Sequence, residues 1–543
     1  MDVQARLTGV AASEGVAIGP VFVHSPKEFK PERHTIPEDT VEEEISRFEQ
    51  AVQAVVPQLE ETAEKLREAG NDNEAAIFDA HIELAQDPEL AEGVAERVKN
   101  LESPEAAVLA VGEEYARMFA GMEDSYMAAR ADDVRDIARQ IAAEIMGDTS
   151  PGLEALQKPS IVLAHALAPS DTARVPKGMA LGFVTAEGSK TSHVSIMARS
   201  MGIPAVVGVG AALEEAFAAE TFALDGGQGY AIADPDPDTI AAMKRRRQEI
   251  EDEKTALEKY KHVEARTSDG RRVEVSANLG SAEDAQDALE WGAEGVGLFR
   301  TEFLFMERDE LPSEDEQYDV YRKVAEAFGE KPVIFRTLDV GGDKNLPGVD
   351  QPEEENPFLG WRGIRMCLDV PELFKPQLRA LLRAAARGNV KVMFPMIANA
   401  DEVRSAREIL EHCRQELQEE GSKVGPLDVG VMVETPAAAL CAGDLAKEVA
   451  FFSIGTNDLV QYTLAADRGD ERLKHLQKAD HPAVLKLIGL TCEAAEEAGI
   501  WVGVCGEAAG DPKLIPRLLA LGVEELSMSA PSIPKAKKTV SES

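Results

Sequence analysis

Hydrophobic positions change their period three times along the chain. In residues 1–24 they gather in strand-like runs, 16–18 and 21–23, parted by Gly19-Pro20 and too short to form a sheet alone. From Val41 the spacing lengthens. Val41, Ile45, Phe48, Val52, Val55 and Leu59 recur at three- and four-residue steps, which places them on one helical face. Thr40 and Glu43 have the spacing of a capping box at its start, and Pro57 is expected to kink the helix. Helical patterns continue through residues 75–85, 88–99, 104–122 and 131–146 with no strand between them, so an all-helical bundle is predicted.

Strand patterns return at 160–163, 179–185 and 205–209, followed by a hairpin over 221–233 that turns on Gly226-Gly227-Gln228-Gly229. The first 24 residues need a sheet and the bundle offers none. The bundle is therefore predicted to be an insertion in a small α/β domain. Asp234-Pro235-Asp236-Pro237-Asp238 marks a stiff polar boundary. A helix with Ile240, Met243, Ile250 and Leu257 on one face follows it to about His262, as a hinge or spacer. Beyond Arg266 strand and helix alternate, with candidate strands at 273–277, 295–299, 333–337, 392–395, 430–433, 451–454, 502–505 and 525–528. Eight such units fit a (β/α)8 barrel with its active site at the C-terminal ends of the strands; a doubly wound sheet is the alternative. The expected domains are 1–24 with 148–233, an inserted bundle at 25–147, a linker helix at 234–262, and the barrel at 263–543.

Charge narrows the function classes. Of 543 residues, 98 are acidic and 57 basic, a formal net of -41, which argues against a nucleic-acid surface. The acidity is either the solvated face of helices or an adaptation to high salt, where screening weakens self-repulsion. Five cysteines without a Cys-x-x-Cys pair fit a reducing compartment. No apolar run approaches a membrane span and no leader pattern opens the sequence, so a cytoplasmic protein is expected.

Two stretches carry candidate chemistry. In Gly188-Ser189-Lys190-Thr191-Ser192-His193-Val194-Ser195-Ile196-Met197-Ala198-Arg199 small hydroxyl residues precede His193, and an apolar-periodic run follows. His193 is thus expected at a helix N-terminus, where backbone N–H groups and the dipole favour an anion. Its imidazole is a competent nucleophile near neutrality. A structural histidine beside a capped helix is the plainer reading of that stretch by itself.

The second stretch is distributed over the strand ends. Arg300 follows the second barrel strand, Arg336 the third, Glu434 the fifth and Asn457-Asp458 the sixth, while Cys505 closes the seventh. With Arg362 and Arg468, the arginines form a forked cluster fit for phosphate and carboxylate. Glu434 and Asp458 are either hard ligands for Mg2+ beside a substrate phosphate or part of a salt-bridge network. Cys505, between glycines in Gly503-Val504-Cys505-Gly506, has a thiol whose ordinary pKa of about 8.5 keeps it protonated and able to give a proton.

These residues bring a family into view. Thr191-Ser192-His193-Val194-Ser195-Ile196-Met197-Ala198-Arg199, Gly295-Val296-Gly297-Leu298-Phe299-Arg300-Thr301-Glu302-Phe303-Leu304-Phe305, Asn356-Pro357-Phe358-Leu359-Gly360-Trp361-Arg362, Met432-Val433-Glu434-Thr435-Pro436 and Phe452-Ser453-Ile454-Gly455-Thr456-Asn457-Asp458-Leu459 resemble Enzyme I of the phosphoenolpyruvate-dependent sugar phosphotransferase system. The resemblance runs over nearly the whole chain in the family's order. It implies phosphoryl transfer from phosphoenolpyruvate to Nε2 of His193, release of pyruvate, and transfer onward to a histidine of the carrier protein HPr. It further implies that Arg300, Arg336 and Arg468, with Arg362, Asn457 and Asp458, bind the substrate, that Glu434 and Asp458 hold Mg2+, or alternatively Mn2+, and that Cys505 protonates C3. A bundle that docks HPr and a homodimer formed through the barrel are also implied.

Two departures stand out. Gly188-Ser189-Lys190 replaces the two glycines and arginine common before the Thr-Ser-His core, and the chain ends early enough that the eighth barrel helix is expected to be short, about 533–540. The nearest rivals, pyruvate phosphate dikinase and phosphoenolpyruvate synthase, need an ATP-binding domain for which this chain has no room. A regulatory relative that senses phosphoenolpyruvate without turnover is the alternative from another class.

Overall fold

Strands from both sides of the helical insertion build one sheet. β1 (Arg6–Thr8), β2 (Val10–Ser13) and β3 (Val16–His24) precede it; β4 (Ser160–Ala164), β5 (Ala180–Thr185), β6 (Ala205–Val207), β7 (Thr221–Asp225) and β8 (Tyr230–Ala233) follow it. Their order is β1-β8-β7-β3-β4-β5-β6-β2. The two runs expected around Gly19-Pro20 are a single strand. Residues 16–20 of β3 pair antiparallel with β7, and residues 21–24 pair parallel with β4. Because the Val21 amide bonds to Glu220 on the β7 side, Pro20 would point its missing proton to the other side, where the β4 ladder has not yet begun.

The computed structural model describes residues 6–24, 35–68, 72–120, 125–147, 152–190, 192–306, 308, 310–341, 346–349, 354–468 and 470–543. Thr191, residues 121–122 and the expected boundaries at 25 and 148 lie outside them. The chain divides into two compact units, Met1–Asp252 and Glu253–Ser543.

In the first unit, the excursion between the adjacent strands β3 and β4 contains α1 (Val41–Glu68), α2 (Asp72–Ala85), α3 (Pro88–Lys99), α4 (Pro104–Ala120) and α5 (Ser125–Met146). Phe48, Val55, Leu59, Val94, Val98, Val108, Ile137 and Ile141 fill its core. α1 continues through Pro57. The expected capping box does not form. Residues Glu38–Thr40 make a 3-10 turn instead, and the Thr40 hydroxyl donates back to the Pro37 carbonyl at 2.9 Å. Three helices lie among the later strands: α6 (Pro169–Ala173), α7 (His193–Ser200) and α8 (Ala212–Glu215). α9 (Pro237–Glu258) then packs Met243 against Val16 and Ala223, and the division between the units falls within this helix.

The second unit is a barrel. β9 (Glu274–Leu279), β10 (Val296–Arg300), β11 (Val333–Arg336), β12 (Val390–Phe394), β13 (Asp428–Val433), β14 (Phe451–Ile454), β15 (Trp501–Val504) and β16 (Glu525–Met528) pair in parallel. β16 returns to β9 and closes the ring, which excludes the doubly wound alternative. The short last helix, Ile533–Ser541, is sufficient for closure: it buries Ile533, Ala536 and Val540, and Lys537 Nζ donates to the Val263 carbonyl at 2.8 Å. Among the described residues no helix is long and apolar enough to cross a membrane.

Candidate active site

Each barrel strand delivers its last side chains to one rim, which is why polar residues just past the strands come together. Arg300 stands beside Arg336 in the β10–β11 register. Arg336 is buried, pairs with Glu302, and reaches Asp339 Oδ2 at 3.0 Å. Arg362 grips the same Asp339 with two bonds, Nε to Oδ1 at 3.2 Å and Nη2 to Oδ2 at 2.8 Å. Its Nη1 lies 3.3 Å from the Tyr462 hydroxyl and 3.8 Å from Asp458 Oδ1. Arg468 Nη1 approaches Asp458 Oδ1 from the solvent side at 3.7 Å, and its guanidinium lies over the Phe358 ring. Asn457 and Asp458 belong to the first turn of the helix Thr456–Leu464, with Asn457 exposed and Asp458 buried.

Charge is nearly balanced inside this cluster, with two exceptions that matter. Burial works against the cation on Arg336, yet Glu302, Asp339 and Glu434 outweigh it and raise the guanidinium further. Asp339 is held below the usual carboxylate range: burial opposes this, but Arg336 and Arg362 prevail. Glu434 goes the other way. Burial, then repulsion from Asp458 and Asp339, push its carboxyl well above the usual range. Glu434 Oε1 accepts from the Met396 amide at 2.6 Å, for which Met396 takes a left-handed φ of 56°. Glu434 Oε2 and Asp458 Oδ1 are buried without a hydrogen-bond donor. Asp458 Oδ1 has only the two distant guanidiniums of Arg362 and Arg468, at 3.8 and 3.7 Å, so these two hard oxygens are chemically able to take a divalent cation as well as to belong to a salt-bridge network. No cluster of three or more His, Cys, Asp or Glu side chains able to hold a metal stands among the described residues.

Cys505 follows β15, buried, with its Sγ 3.7 Å from the Ile454 carbonyl. Burial pushes the thiol up to about 12, against the pull of the Ser453 hydroxyl and with a push from Glu525. The ordinary thiol value expected from the sequence is therefore corrected upward, and the proton is held more firmly.

His193 opens α7 in the first unit, one residue past the N-cap position of Ser192. The Ser192 and Ser195 hydroxyls both donate to the Ser189 carbonyl, at 2.8 and 2.6 Å, so they brace the loop and leave the helix end uncapped by side chains. The ring is partly exposed, and Nε2 lies 3.5 Å from Oδ1 of Asp133 on α5. The same oxygen faces Nε2 of the buried His81 on α2 at 3.3 Å.

With this geometry in hand, comparison with known proteins is direct. The PEP-binding domain of PEP-utilising enzymes matches residues 254–543, their mobile domain residues 156–229, and their N-terminal domain residues 8–130. A phosphoenolpyruvate-protein phosphotransferase of Staphylococcus carnosus is 43% identical over 538 residues, 98% of this chain and 93% of that one. One from Geobacillus stearothermophilus is 44% identical over 531 residues, 97% of this chain and 92% of that one. The chain belongs to the phosphoenolpyruvate-protein phosphotransferase family of PEP-utilising enzymes. The solution structure of Enzyme I (nEIt) is also similar, 39% identical, covering 45% of this chain and 99% of that one, with a TM-score of 0.40.

Several residues of this phosphotransferase-family site escaped the sequence reading. Asp339, which joins Arg336 to Arg362, stands just past a strand in Leu338-Asp339-Val340, so the signal that picked out Glu434 would have found it. Glu302 lay inside a quoted motif without a role. Asp133 and His81 sit mid-helix in acidic amphipathic segments, and nothing local distinguishes them from a solvated face.

Proposed function

We propose that the chain transfers the phosphoryl group of phosphoenolpyruvate to Nε2 of His193, releases pyruvate, and hands the phosphoryl group to a histidine of the carrier protein HPr, the first step of sugar phosphotransfer. One observation carries this reading: buried arginines, two buried carboxylates and a buried thiol share one barrel mouth.

Arg300, Arg336, Arg362 and Arg468, with Asn457 and the Asp458 loop, bind the phosphate and carboxylate by forked, charge-assisted hydrogen bonds. Glu434 and Asp458 would hold Mg2+, or Mn2+, which when bound neutralises charge on the transferring phosphoryl group. His193 Nε2 lies 3.5 Å from Asp133 Oδ1 without a hydrogen bond, and must turn from that carboxylate to attack the phosphoryl group. As the P–O bond to the enolate breaks and the N–P bond forms, the electron pair stays with pyruvate's oxygen. C3 then takes the thiol proton of Cys505 and the ketone forms. His193 and the barrel mouth are carried by different units, so the unit bearing His193 must present it to the barrel and afterwards to HPr. The inserted bundle serves as the HPr-docking module, the barrel as the homodimer interface, and the cytoplasm as the working compartment, which accords with the five free cysteines.

The test is incubation of the purified protein with phosphoenolpyruvate and Mg2+, without ATP, followed by mass mapping of acid-labile phosphate. The expected result is label on His193, lost in His193→Ala, lost on chelation of the metal, and chased onto added HPr. Absence of label at both low and high salt overturns the reading.

A further inference from the structure

The proton that Cys505 gives up must be replaced in every cycle, and the barrel interior beneath Cys505 is unusually polar. In one layer, Ser453 is in register with Gly503, Gly503 with Glu525, and Glu525 with Glu274. Cys505 stands two residues beyond Gly503, hence on the same inward face and about 6–7 Å along the strand direction. Gly503 and Gly297 leave the space that the Glu525 carboxyl fills, since a side chain at either would overlap one of its oxygens. Glu525 is 2% exposed, and neither of its oxygens is held by a hydrogen bond of good geometry; nor is the Ser453 hydroxyl. The rest of the interior around Cys505, formed by Leu298, Ile334, Met393, Met432 and Phe451, is apolar. Buried polar atoms without partners cost about 1–3 kcal/mol each, so a set of them on one wall calls for a reason.

We propose that Glu525 and Ser453 return a proton to Cys505 after each turnover, with Ser276 and Glu274 resupplying Glu525 from the base of the barrel. Ser453 is in register with Gly503, over which the Glu525 carboxyl lies, and its hydroxyl neighbours the Cys505 thiol. On the neighbouring strand the Ser276 hydroxyl, in register with Ser527, donates to Glu274 Oε1 at 3.1 Å and also neighbours Glu525. Glu274 is the first residue of β9, at the N-terminal end of the barrel, and is only partly buried. Burial and the Glu274 carboxyl push Glu525 well above the usual carboxylate range, which favours its protonated form.

The step balances. After C3 has taken the Cys505 proton, the Ser453 O–H bond breaks toward the thiolate sulfur while Ser453 oxygen takes the Glu525 proton. A thiol, an unchanged serine and a Glu525 carboxylate result. The Ser276 hydroxyl then turns from Glu274 to Glu525, its O–H bond breaking toward the Glu525 carboxylate while its oxygen takes the proton of the Glu274 carboxyl, and Glu274 recovers a proton from solvent. Glu525 acts through Cys505 and never on the substrate.

This inference rests on the proposed role of Cys505, and rapid-quench kinetics separates the two. In the full chain with phosphoenolpyruvate, Mg2+ and excess HPr, Glu525→Gln is expected to form its first equivalent of pyruvate and of phosphorylated His193 at a rate close to wild type. Steady turnover should then fall by about tenfold or more, and recover with increasing formic acid–formate buffer at fixed pH. Wild type should show no such burst and no buffer response. If Glu525→Gln does not fold, Ser453→Ala must show the same split. A steady rate matching wild type, or first and later turnovers slowed together, overturns the relay. Absence of His193 phosphate in wild type instead overturns the underlying reading.

Discussion

Cys505 illustrates how burial sets chemistry at a single residue. In water its thiol would be partly ionised near its ordinary value; enclosed beneath the barrel mouth it is pushed up to about 12, which suits it to the proton donation proposed above. Cys505→Ala should lower pyruvate formation by about 10²–10⁴-fold, the usual scale of general-acid catalysis, with KM for phosphoenolpyruvate little changed; steady-state kinetics checks this. Asp339 illustrates the complementary case. It is the buried counter-ion shared by two arginines, so Asp339→Ala removes one partner from each and should destabilise the second unit by about 3–5 kcal/mol, read as a lower denaturant midpoint for that unit. The residues nominated from the sequence at this rim were legible because strand ends in a barrel converge. Asp339 carried the same signal but was not weighed, since its importance lies in two partners 3 and 23 residues away that only the fold brings together.

At the scale of elements, contacts between segments decide what each segment does. Asp171 on α6 meets His24 at the end of β3 at 3.2 Å and accepts from the Ala168 amide at 3.0 Å. Burial opposes the carboxylate there, but His24 and Ala168 outweigh it and hold it below the usual range. A depressed carboxylate stabilises fully above its unfolded value of about 3.9 and loses its effect as pH falls through the lower folded value. Asp171→Asn should therefore destabilise the first unit at pH 7, by a margin that shrinks as pH falls below about 3.9, as urea midpoints at pH 7 and at successively lower pH would show. In the barrel, Gly292 turns the chain into β10 at φ 87° with the Lys261 carbonyl packed where a Cβ would lie. Gly292→Ala combines a left-handed strain with a backbone overlap, for an expected loss of about 1–3 kcal/mol in denaturant titration. The capping box that failed to form before α1 teaches the same lesson, because Thr40 had a nearer acceptor in the turn at Pro37.

For the whole molecule, a net charge of -41 means that self-repulsion opposes the folded state and salt relieves it. The thermal midpoint should rise between 10 mM and 1 M NaCl, where the screening length shrinks from about 30 to 3 Å. An unchanged midpoint would show that the acidic residues are balanced locally. What the sequence by itself determined is whatever is written in short-range pattern: helical and strand periods, the order of elements, the eight strands of the second unit, and the strand-end residues of its rim. Local period and turn chemistry act over a few residues, so one chain suffices to read them. Closure of the barrel, the passage of β3 through Gly19-Pro20 from one partner to another, the pairing of Asp133 with His193 and His81, and the polar layer beneath Cys505 were decided only by tertiary structure. Each depends on groups far apart in the chain, and on burial, which has no meaning for a residue until its neighbours are in place.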